Sequence, residues 1–463
     1  MEYRLTKMET DFDLLNDGQK AAFRPMWDYA LGKTDYRYFV LEGWAGTGKT
    51  FLTSMFAQWL LHKKACKRLA ICAPVGKAVK VLSNTLNFES EDMVLGTLHS
   101  LFALRPQINT TTGEQEFKPD PTTIAEISYC DFLICDEASM IASELFEHIE
   151  RRVNMGKLKV LFVGDGGQAP PIGEKQAIPY DSAKRELYKM GFYELKEIVR
   201  QGADNPIIPF TSNLRKRVHS PSIILNTDTS INEGTCKGVQ WVNDSKVLKA
   251  LIKDLFTSPA FNENPDHAKI ICWRNETVDN LNRVVRNFRF GKGIGKIVNG
   301  EKMVTAGIVK NREGVIMLSN STEFEVLQFT ETAVEWQEKE FKAYCCRIQA
   351  SDLTTHTIYV VHEESEEMYN GTLEMVAKEA NRETNRLNRA AMWQHFWELR
   401  ELFADVNYNY AITTHRSQGS TYKYALVIIE DYLGRTKEVY ERNRLIYTAC
   451  TRPSNVLYMV GNI

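Results

Sequence analysis

Apolar runs and amphipathic stretches alternate along the chain from residue 16 to about residue 195. Short apolar runs at residues 38–41, 69–73, 132–135 and 160–163 predict buried strands. Between them, apolar residues recur at helical spacing. One such stripe contains Phe51, Met55 and Trp59 and another contains Ile141, Leu145, Ile149 and Val153. This alternation is typical of a parallel sheet that is covered by helices on both faces.

A second alternating block begins near residue 205 and is interrupted after residue 300. Its first part predicts an apolar helix face around Leu251, then a strand at 270–273 and a helix through Val285. Short predicted strands follow at residues 314–318, 323–329, 343–348 and 357–361, then a charged helical region from about 365 to 402. The α/β pattern resumes with predicted strands at 410–414, 426–429 and 456–460.

These patterns predict an α/β protein with two tandem parallel-sheet domains, each carrying an insert. The first domain is assigned to residues 1–198 and contains a β-hairpin at 103–122. The second is assigned to 199–298 and 405–463, and a small β-barrel with helices is inserted at 299–404.

Composition narrows the class of protein but does not indicate a substrate. The chain has 463 residues, 43% of them hydrophobic, which is enough for several cores. The net charge of −2 gives no global signal for nucleic acid or membrane. Nine cysteines without CxxC pairs favour a reducing cytoplasm. Acidic residues interrupt the N-terminus and no apolar run reaches membrane length, so neither a signal peptide nor a membrane span is expected.

The segment at residues 43–50, Gly-Trp-Ala-Gly-Thr-Gly-Lys-Thr, joins a predicted strand to a predicted helix. This is the pattern of a phosphate-binding loop. Its glycines allow backbone N–H groups to surround a polyphosphate at the positive end of the helix. Lys49 would reach the β- and γ-phosphates and Thr50 would bind Mg²⁺. The chain is therefore expected to hydrolyse a nucleoside triphosphate.

Two further polar groups follow predicted strands of the same domain. Asp136 and Glu137 come after the strand at 132–135, where Asp136 would orient Mg²⁺ and Glu137 would polarise the attacking water. A glycine-rich turn after the next strand delivers Asp165 and Gln168, and Gln168 is suited to sense the γ-phosphate. The ends of parallel strands meet at one edge of a sheet, so these groups are expected to share a site with the loop.

The order of these motifs resembles that of the superfamily-1 helicases, specifically the phage-type RecD-like and Dda-like group that moves 5′ to 3′ on single-stranded DNA. The segments that resemble family motifs are residues 15–20, 43–50, 73–78, 96–102, 136–140, 164–168, 195–201, 414–421 and 447–452. The resemblance spans nearly the whole chain and implies two RecA-like domains, a duplex-splitting hairpin pin in the first and an SH3-like barrel in the second.

The resemblance also implies roles for particular residues. Its catalytic positions are Lys49, Glu137, Gln168, Arg200 and Arg452. Its nucleotide-binding positions are Gln19, which reads adenine, together with Gly43, Ala45, Gly46, Thr47, Gly48, Lys49, Thr50, Asp136, Gln168, Gly419 and Arg452. The metal positions are Thr50 and Asp136. Nucleic acid would contact Pro74, Lys77, Thr97, His99, Thr414, His415, Ser417 and Thr421.

Arg200 and Arg452 lie beyond the first domain, so ATP would bind in a cleft between the two domains. A guanidinium is permanently charged and can bind γ-phosphoryl oxygens as negative charge develops on them. For the aromatic helix that contains Trp393, Phe396 and Trp397, three roles remain open: core packing, which is favoured, bracing of the hairpin, and base stacking.

The sequence therefore predicts an ATP- and Mg²⁺-dependent helicase that tracks along single-stranded DNA and unwinds duplex ahead of it. The alternatives are a strand-stimulated ATPase that remodels protein–DNA complexes without unwinding, and an inactive scaffold. Expected partners are single-stranded and forked DNA, and a single-strand-binding or replication protein is a candidate. The family suggests a monomer in the cytoplasm, within the host cell if phage-encoded, with a role in replication, recombination or repair.

Overall fold

The structure, a computed structural model, describes residues 12–86, 88–198, 205–221, 223, 225, 228–311, 313–433 and 438–461. Arg200, one of the predicted catalytic residues, lies outside the described residues. Within the described part of the chain, none of the helices combines the length and the apolarity needed to cross a bilayer.

The first α/β unit, here called the first lobe, is built on a six-stranded sheet with the order β3-β2-β6-β7-β1-β8, in which all pairings are parallel. Its strands are β1 (Tyr38–Gly43), β2 (Leu69–Ala73), β3 (Met93–Thr97), β6 (Phe132–Cys135), β7 (Lys159–Gly164) and β8 (Met190–Leu195). Its helices are α1 (Asp17–Ala30), α2 (Lys49–His62), α3 (Gly76–Thr85), α4 (Leu98–Leu101), α5 (Ser143–Asn154) and α6 (Ser182–Leu187). Separate apolar cores cover its two faces.

A β-hairpin leaves this sheet between α4 and β6. Its strands, β4 (Leu104–Ile108) and β5 (Gln115–Pro119), pair antiparallel, so that Ile108 lies opposite Gln115. Residues 109–114 form the turn. We call residues 104–119 the hairpin.

The second α/β unit, the second lobe, begins with α7 (Ile207–Lys216). Its first elements are β9 (Ser230–Asn232), β10 (Lys237–Val242), α8 (Ser245–Phe256), α9 (Pro259–Glu263), β11 (Ala268–Cys272) and α10 (Asn275–Phe290). In α8 the deeply buried positions are Ile252 and Phe256, on the apolar face that the sequence predicted.

The insert that follows is a five-stranded antiparallel sheet with the order β17-β16-β15-β12-β18, beside a two-stranded pair, β13 and β14. Its elements are β12 (Lys302–Thr305), β13 (Val309–Lys310), β14 (Ile316–Leu318), β15 (Glu323–Trp336), β16 (Lys339–Ala350), β17 (Thr355–Val361), α11 (Glu363–Arg382), α12 (Arg386–Leu402) and β18 (Val406–Tyr408). The strand β18 lies just beyond the predicted limit of the insert, and the domain limits themselves stay a prediction.

The chain then returns to the second lobe and completes a sheet with the order β19-β11-β20-β21-β10-β9. The returning elements are β19 (Ala411–Thr413), α13 (Thr414–Ser417), β20 (Tyr422–Ile428), α14 (Ile429–Leu433), α15 (Val439–Cys450) and β21 (Pro453–Val460). Its pairings are parallel except between β9 and β10. The two sheets confirm the predicted tandem α/β class.

Candidate active site

The phosphate-loop segment runs directly from β1 into α2, as predicted. Gly48 precedes the helix at φ +75°, and a Cβ there would lie 2.4 Å from the Nε2 atom of Gln19. A side chain at this position would displace the Gln19 amide and strain the left-handed backbone, so glycine is favoured. No side chain caps the first turn of α2, which leaves its N–H groups available to phosphate oxygens.

Gln19 lies against the loop rather than in open solvent. Its side chain is 2% exposed, and its Nε2 donates to the carbonyl oxygen of Thr47 at 3.2 Å. The Gln19 Oε1 accepts from the backbone N–H of Asn16, which caps α1 in return. The capping contacts at the start of α1 thus hold the Gln19 amide against the phosphate loop.

The Lys49 ammonium is folded back onto the loop. Its Nζ donates to the carbonyl oxygens of Gly43 at 2.6 Å and Trp44 at 3.0 Å. A triphosphate would offer this ammonium full negative charges instead of two carbonyl dipoles. The lysine is therefore positioned to serve a ligand in the loop.

The acid pair follows β6 at the carboxyl edge of the sheet. Asp136 Oδ1 accepts from the backbone N–H of Glu137 at 2.9 Å. Burial and the neighbouring Glu137 raise the pKa of Asp136 to about 7, which Lys49 partly opposes. Glu137 has φ +48°, a conformation that costs a non-glycine residue about 1–3 kcal/mol and that recurs at functional sites.

These residues fit the Mg²⁺ that the sequence predicts. A buried carboxyl group crowded by a second one is stabilised by a cation, and magnesium is commonly held by one or two carboxylates together with substrate phosphates. Thr50 follows Lys49 in the first turn of α2. Among the described residues there is no cluster of three or more His, Cys, Asp or Glu that would form an all-protein metal cage.

Arg452 of the second lobe meets the glycine-rich turn of the first. Its Nη2 donates to Gln168 Oε1 at 3.3 Å, and both side chains are buried. Neighbouring contacts tie the same elements together: Gln418 Nε2 donates to the Ala169 carbonyl at 2.9 Å, and the Ala169 N–H donates to Thr448 Oγ1 at 2.8 Å. Two of the predicted catalytic side chains are thus in direct contact across the lobes.

Gly419 packs against α3 of the first lobe. A Cβ at Gly419 would meet Ala78 of α3 at 2.8 Å, so this glycine permits close packing of the second lobe on the first. Its predicted contact with nucleotide stays a prediction.

Arg215, Glu42 and Tyr447 contribute to the site although none of them was predicted to belong to it, and Asp165, which was predicted to share the site, lies among them. Arg215 donates through Nη2 to Glu42 Oε1 at 2.6 Å and through Nε to Asp165 Oδ1 at 2.9 Å. The Tyr447 hydroxyl donates to Asp165 Oδ2 at 2.6 Å and accepts from the Ala45 N–H at 3.3 Å. The sequence does indicate that Arg215 is buried, because Arg215 falls eight residues after Ile207 on the apolar stripe of α7.

Several predicted strand-binding residues lie on or near α3 and α4. Thr97 caps α4, since its Oγ1 accepts from the Ser100 N–H at 3.2 Å, and Pro74 is half-buried. His99 packs edge-on against Phe117 of the hairpin, with ring centroids 4.5 Å apart. Burial, then the nearby His148, lowers the pKa of His99, which favours the neutral imidazole. This contact joins α4 to the hairpin.

Lys77 is paired with carboxylates of the other elements. Its Nζ lies 2.7 Å from Asp266 Oδ1 and 3.0 Å from Glu323 Oε1. Burial opposes ionisation of Glu323, but Lys269 and Lys77 outweigh it and lower the pKa of Glu323 to about 2. Lys77 therefore joins the first lobe to the second lobe and the insert in this state.

The predicted residues at 414–421 divide into buried and accessible ones. Thr414 and Ser417 are fully buried, and the Ser417 hydroxyl donates to the Thr414 carbonyl at 2.7 Å. His415 is half-buried, with a pKa that burial lowers, and Thr421 is exposed. Side-chain contacts to a strand are therefore open to His415 and Thr421.

The aromatic helix α12 contacts the turn of the hairpin. Trp397 Nε1 donates to the Gly113 carbonyl at 2.9 Å, and a Cβ at Gly113 would lie 2.4 Å from the Trp393 ring. Gln115 Nε2 also donates to Glu401 Oε1 at 3.2 Å. Of the three roles left open by the sequence, these contacts favour bracing.

Comparison with known proteins adds two family models. Residues 14–233 match the model described as AAA domain, and residues 408–460 match that described as UvrD-like helicase C-terminal domain. Among curated proteins, the chain is 24% identical over 438 residues to the ATP-dependent DNA helicase dda of Enterobacteria phage T4, covering 90% of this chain and 92% of that protein.

Further relatives match over different lengths. An uncharacterised protein of Acanthamoeba polyphaga mimivirus is 23% identical over 92% of this chain and 96% of its own length. The ATP-dependent RecD2 DNA helicase of Deinococcus radiodurans is 31% identical over 37% of this chain and 21% of its own length. A solved structure of Pif1 helicases at forked duplex DNA matches at 16% identity with a TM-score of 0.50, covering 96% of this chain and 92% of that one, and supports the fold alone.

Proposed function

We propose that this chain, a member of the superfamily-1 helicases of the Dda- and RecD-like group, is an ATP-dependent DNA helicase that moves 5′ to 3′ on single-stranded DNA. The observation that carries the proposal is the contact of Arg452 with Gln168, because it joins the second lobe to the γ-phosphate-sensing turn of the first. The direction of movement follows from the resemblance of the motifs to this group.

ATP would be bound by the loop that ends in Gly48, with Lys49 turning from the loop carbonyls toward the phosphates. Thr50 and Asp136 would hold Mg²⁺, which supplies charge neutralisation at the phosphates when bound. Glu137 would accept a proton from the water that attacks the γ-phosphate.

Arg452 would stabilise the charge that develops on the γ-phosphoryl group, and Gln168 would orient the attacking water. Arg200 is proposed for a second guanidinium contact on the strength of its motif alone. Because the two lobes contribute to one reaction, hydrolysis would weaken their grip on each other and open the cleft.

The opening and closing would move DNA across the lobes. Phosphate contacts hold a strand without reading its sequence, which suits a translocating motor. Thr97, His415 and Thr421 are proposed to make such contacts in turn, as is Lys77 once it leaves its carboxylate partners, with Pro74 and His99 shaping the path beside them. Pulling the strand past the hairpin would separate the duplex, because the contact with α12 holds the hairpin turn in place.

The proposal is tested by strand displacement on duplexes that carry a DNA or an RNA tail at either end. Purified protein with ATP and Mg²⁺ is expected to open the duplex with a 5′ DNA tail and to hydrolyse ATP faster when single-stranded DNA is present. If single-stranded DNA stimulates ATP hydrolysis but none of the tailed duplexes is opened, the remodelling alternative is favoured instead. Displacement from a 3′ tail alone would contradict the direction.

Shortening the hairpin turn is expected to uncouple hydrolysis from unwinding. Deleting residues 110–113 and changing Glu114 to Gly leaves a two-residue Asn-Gly turn, which hairpins favour, and removes the carbonyl bound by Trp397. Unwinding should fall at least about tenfold, because a base-pair step costs about 1.4 kcal/mol to open. DNA-stimulated ATPase should remain. Equal losses of both activities would contradict the role of a wedge.

Trp397→Phe is the matched control for that variant. It keeps an aromatic ring on α12 and removes only the Nε1 donor to Gly113, so unwinding should lie between that of the wild type and that of the shortened hairpin.

Neutralising Glu323 is expected to tighten binding of single-stranded DNA. In Glu323→Gln, Lys77 loses one of its two carboxylate partners and becomes more available to a phosphate. The dissociation constant should fall about fivefold, since a partly exposed ion pair is worth up to about 1 kcal/mol. Fluorescence anisotropy with a labelled oligonucleotide measures this, and an unchanged or weaker affinity would contradict it. Glu325→Gln, on the same strand but paired with Lys302, is the matched control.

A further inference from the structure

Three charged side chains from distant parts of the chain meet beneath the phosphate loop. Glu42 is the residue before Gly43, and Asp165 belongs to the turn that carries Gln168. Arg215 lies between them at 2.6 Å and 2.9 Å, and Asp165 is completely buried. A lone buried charge would be costly, so these groups depend on one another.

Arg215 belongs structurally to the second lobe. Its helix α7 packs into the core of that lobe through Ile207 and Leu214, followed by Val218 just beyond the helix. The guanidinium nevertheless reaches the first lobe, where a Cβ at Gly167 would lie 2.3 Å from its Nε. The glycine-rich turn therefore wraps closely around a side chain that the other lobe supplies.

The carboxylates of Glu42 and Asp165 accept hydrogen bonds from two different nitrogen atoms, and a guanidinium provides both donors. Nε bonds one carboxylate and Nη2 bonds the other, which a planar fork with several donors allows. A lysine at this position would keep the charge but present it at a single point. Asp165 is further held by the Tyr447 hydroxyl and by the Gly167 N–H at 2.9 Å.

We propose that Arg215 is a positioning residue that keeps the Gln168 turn and the end of β1 in register with the second lobe, and thereby couples ATP hydrolysis to lobe movement. This inference rests on the proposed function. Asp165 is three residues before Gln168, so a shift of Gln168 when the γ-phosphate leaves would move Asp165 against Arg215. The displacement would then pass into α7 and the second lobe.

The first test compares Arg215→Lys with wild type and with Lys216→Gln, an exposed neighbour on the same helix. ATPase is measured with saturating single-stranded DNA, and strand displacement is measured in the same reactions. In Arg215→Lys, kcat should fall at least about tenfold while KM for ATP stays near the wild-type value, because misplacement of about 1 Å can cost up to 10²-fold in rate. Base pairs opened per ATP should also fall. Lys216→Gln should match wild type.

The second test separates positioning from stability. Arg215→Met removes the cation shared by Asp165 and Glu42, leaves Glu42 with only the more distant Arg185 at 4.0 Å, and should lower the unfolding temperature. Adding Glu42→Gln should restore part of it. The double variant should still have a low kcat. Recovery of kcat together with stability would overturn the proposal, as would wild-type kcat and coupling in Arg215→Lys. A wild-type protein without DNA-stimulated ATPase would instead overturn the proposed function, and the role of Arg215 with it.

Discussion

Arg452→Ala is expected to lower DNA-stimulated ATP turnover by about 10³-fold, the lower end of the range for arginine fingers in other nucleotidases. Arg452 is buried in the second lobe and reaches Gln168 of the first, so its guanidinium lies where the γ-phosphate would be sensed. Alanine leaves the phosphate loop and the acid pair intact. ATP binding should therefore remain while hydrolysis is lost, and steady-state ATPase together with nucleotide-binding titrations measures both.

Two controls accompany this variant. Arg452→Lys keeps the charge but not the fork that also bonds the Thr448 carbonyl at 3.0 Å, and it should recover only part of the rate. Lys423→Ala removes an exposed cation of the same lobe and should behave as wild type. A loss smaller than tenfold in Arg452→Ala would contradict a direct role in the transition state.

Glu137→Gln is expected to lower the rate of ATP hydrolysis by about 10²–10⁴-fold, the usual contribution of a general base. Glutamine keeps the shape of the side chain but cannot take the proton of the attacking water. The change also removes the negative charge that, after burial, raises the pKa of Asp136. Asp136 should therefore be at least as well ionised at neutral pH, and Mg²⁺–ATP binding should be retained.

Single-turnover hydrolysis measures the chemical step in Glu137→Gln, and a fluorescent ATP analogue measures binding. Glu144→Gln, an exposed glutamate in the first turn of α5, is the matched control. Hydrolysis close to the wild-type rate in Glu137→Gln would remove this residue from its proposed role.

The sequence predicted those parts of the molecule that depend on local pattern. The phosphate loop, the acid pair and the hairpin are continuous segments with characteristic spacing. Four of the strands in the first sheet were predicted because they are short, fully apolar runs. The edge strands β3 and β8 were missed, because each contains a glycine and is only partly buried.

Contacts between distant segments could not be predicted in the same way. Lys77 reads as a phosphate-binding residue from its motif, yet its carboxylate partners lie 189 and 246 residues away. The Arg215 contacts span 50 and 173 residues. The aromatic spacing of α12 predicted one face of a helix but not its neighbour, which is the hairpin turn 284 residues earlier. Such pairings depend on how the lobes and insert pack.

The central claim is that both lobes contribute residues to the site that binds and hydrolyses one triphosphate. The most direct test measures two affinities in wild type and in Arg452→Ala. One is for ADP alone, and the other is for ADP with aluminium fluoride, which imitates the transferring phosphoryl group. We expect ADP affinity to be unchanged and affinity for the complex to fall by at least about 10²-fold, because transition-state contacts exceed ground-state ones. Equal affinities of the two proteins for the complex would contradict the claim.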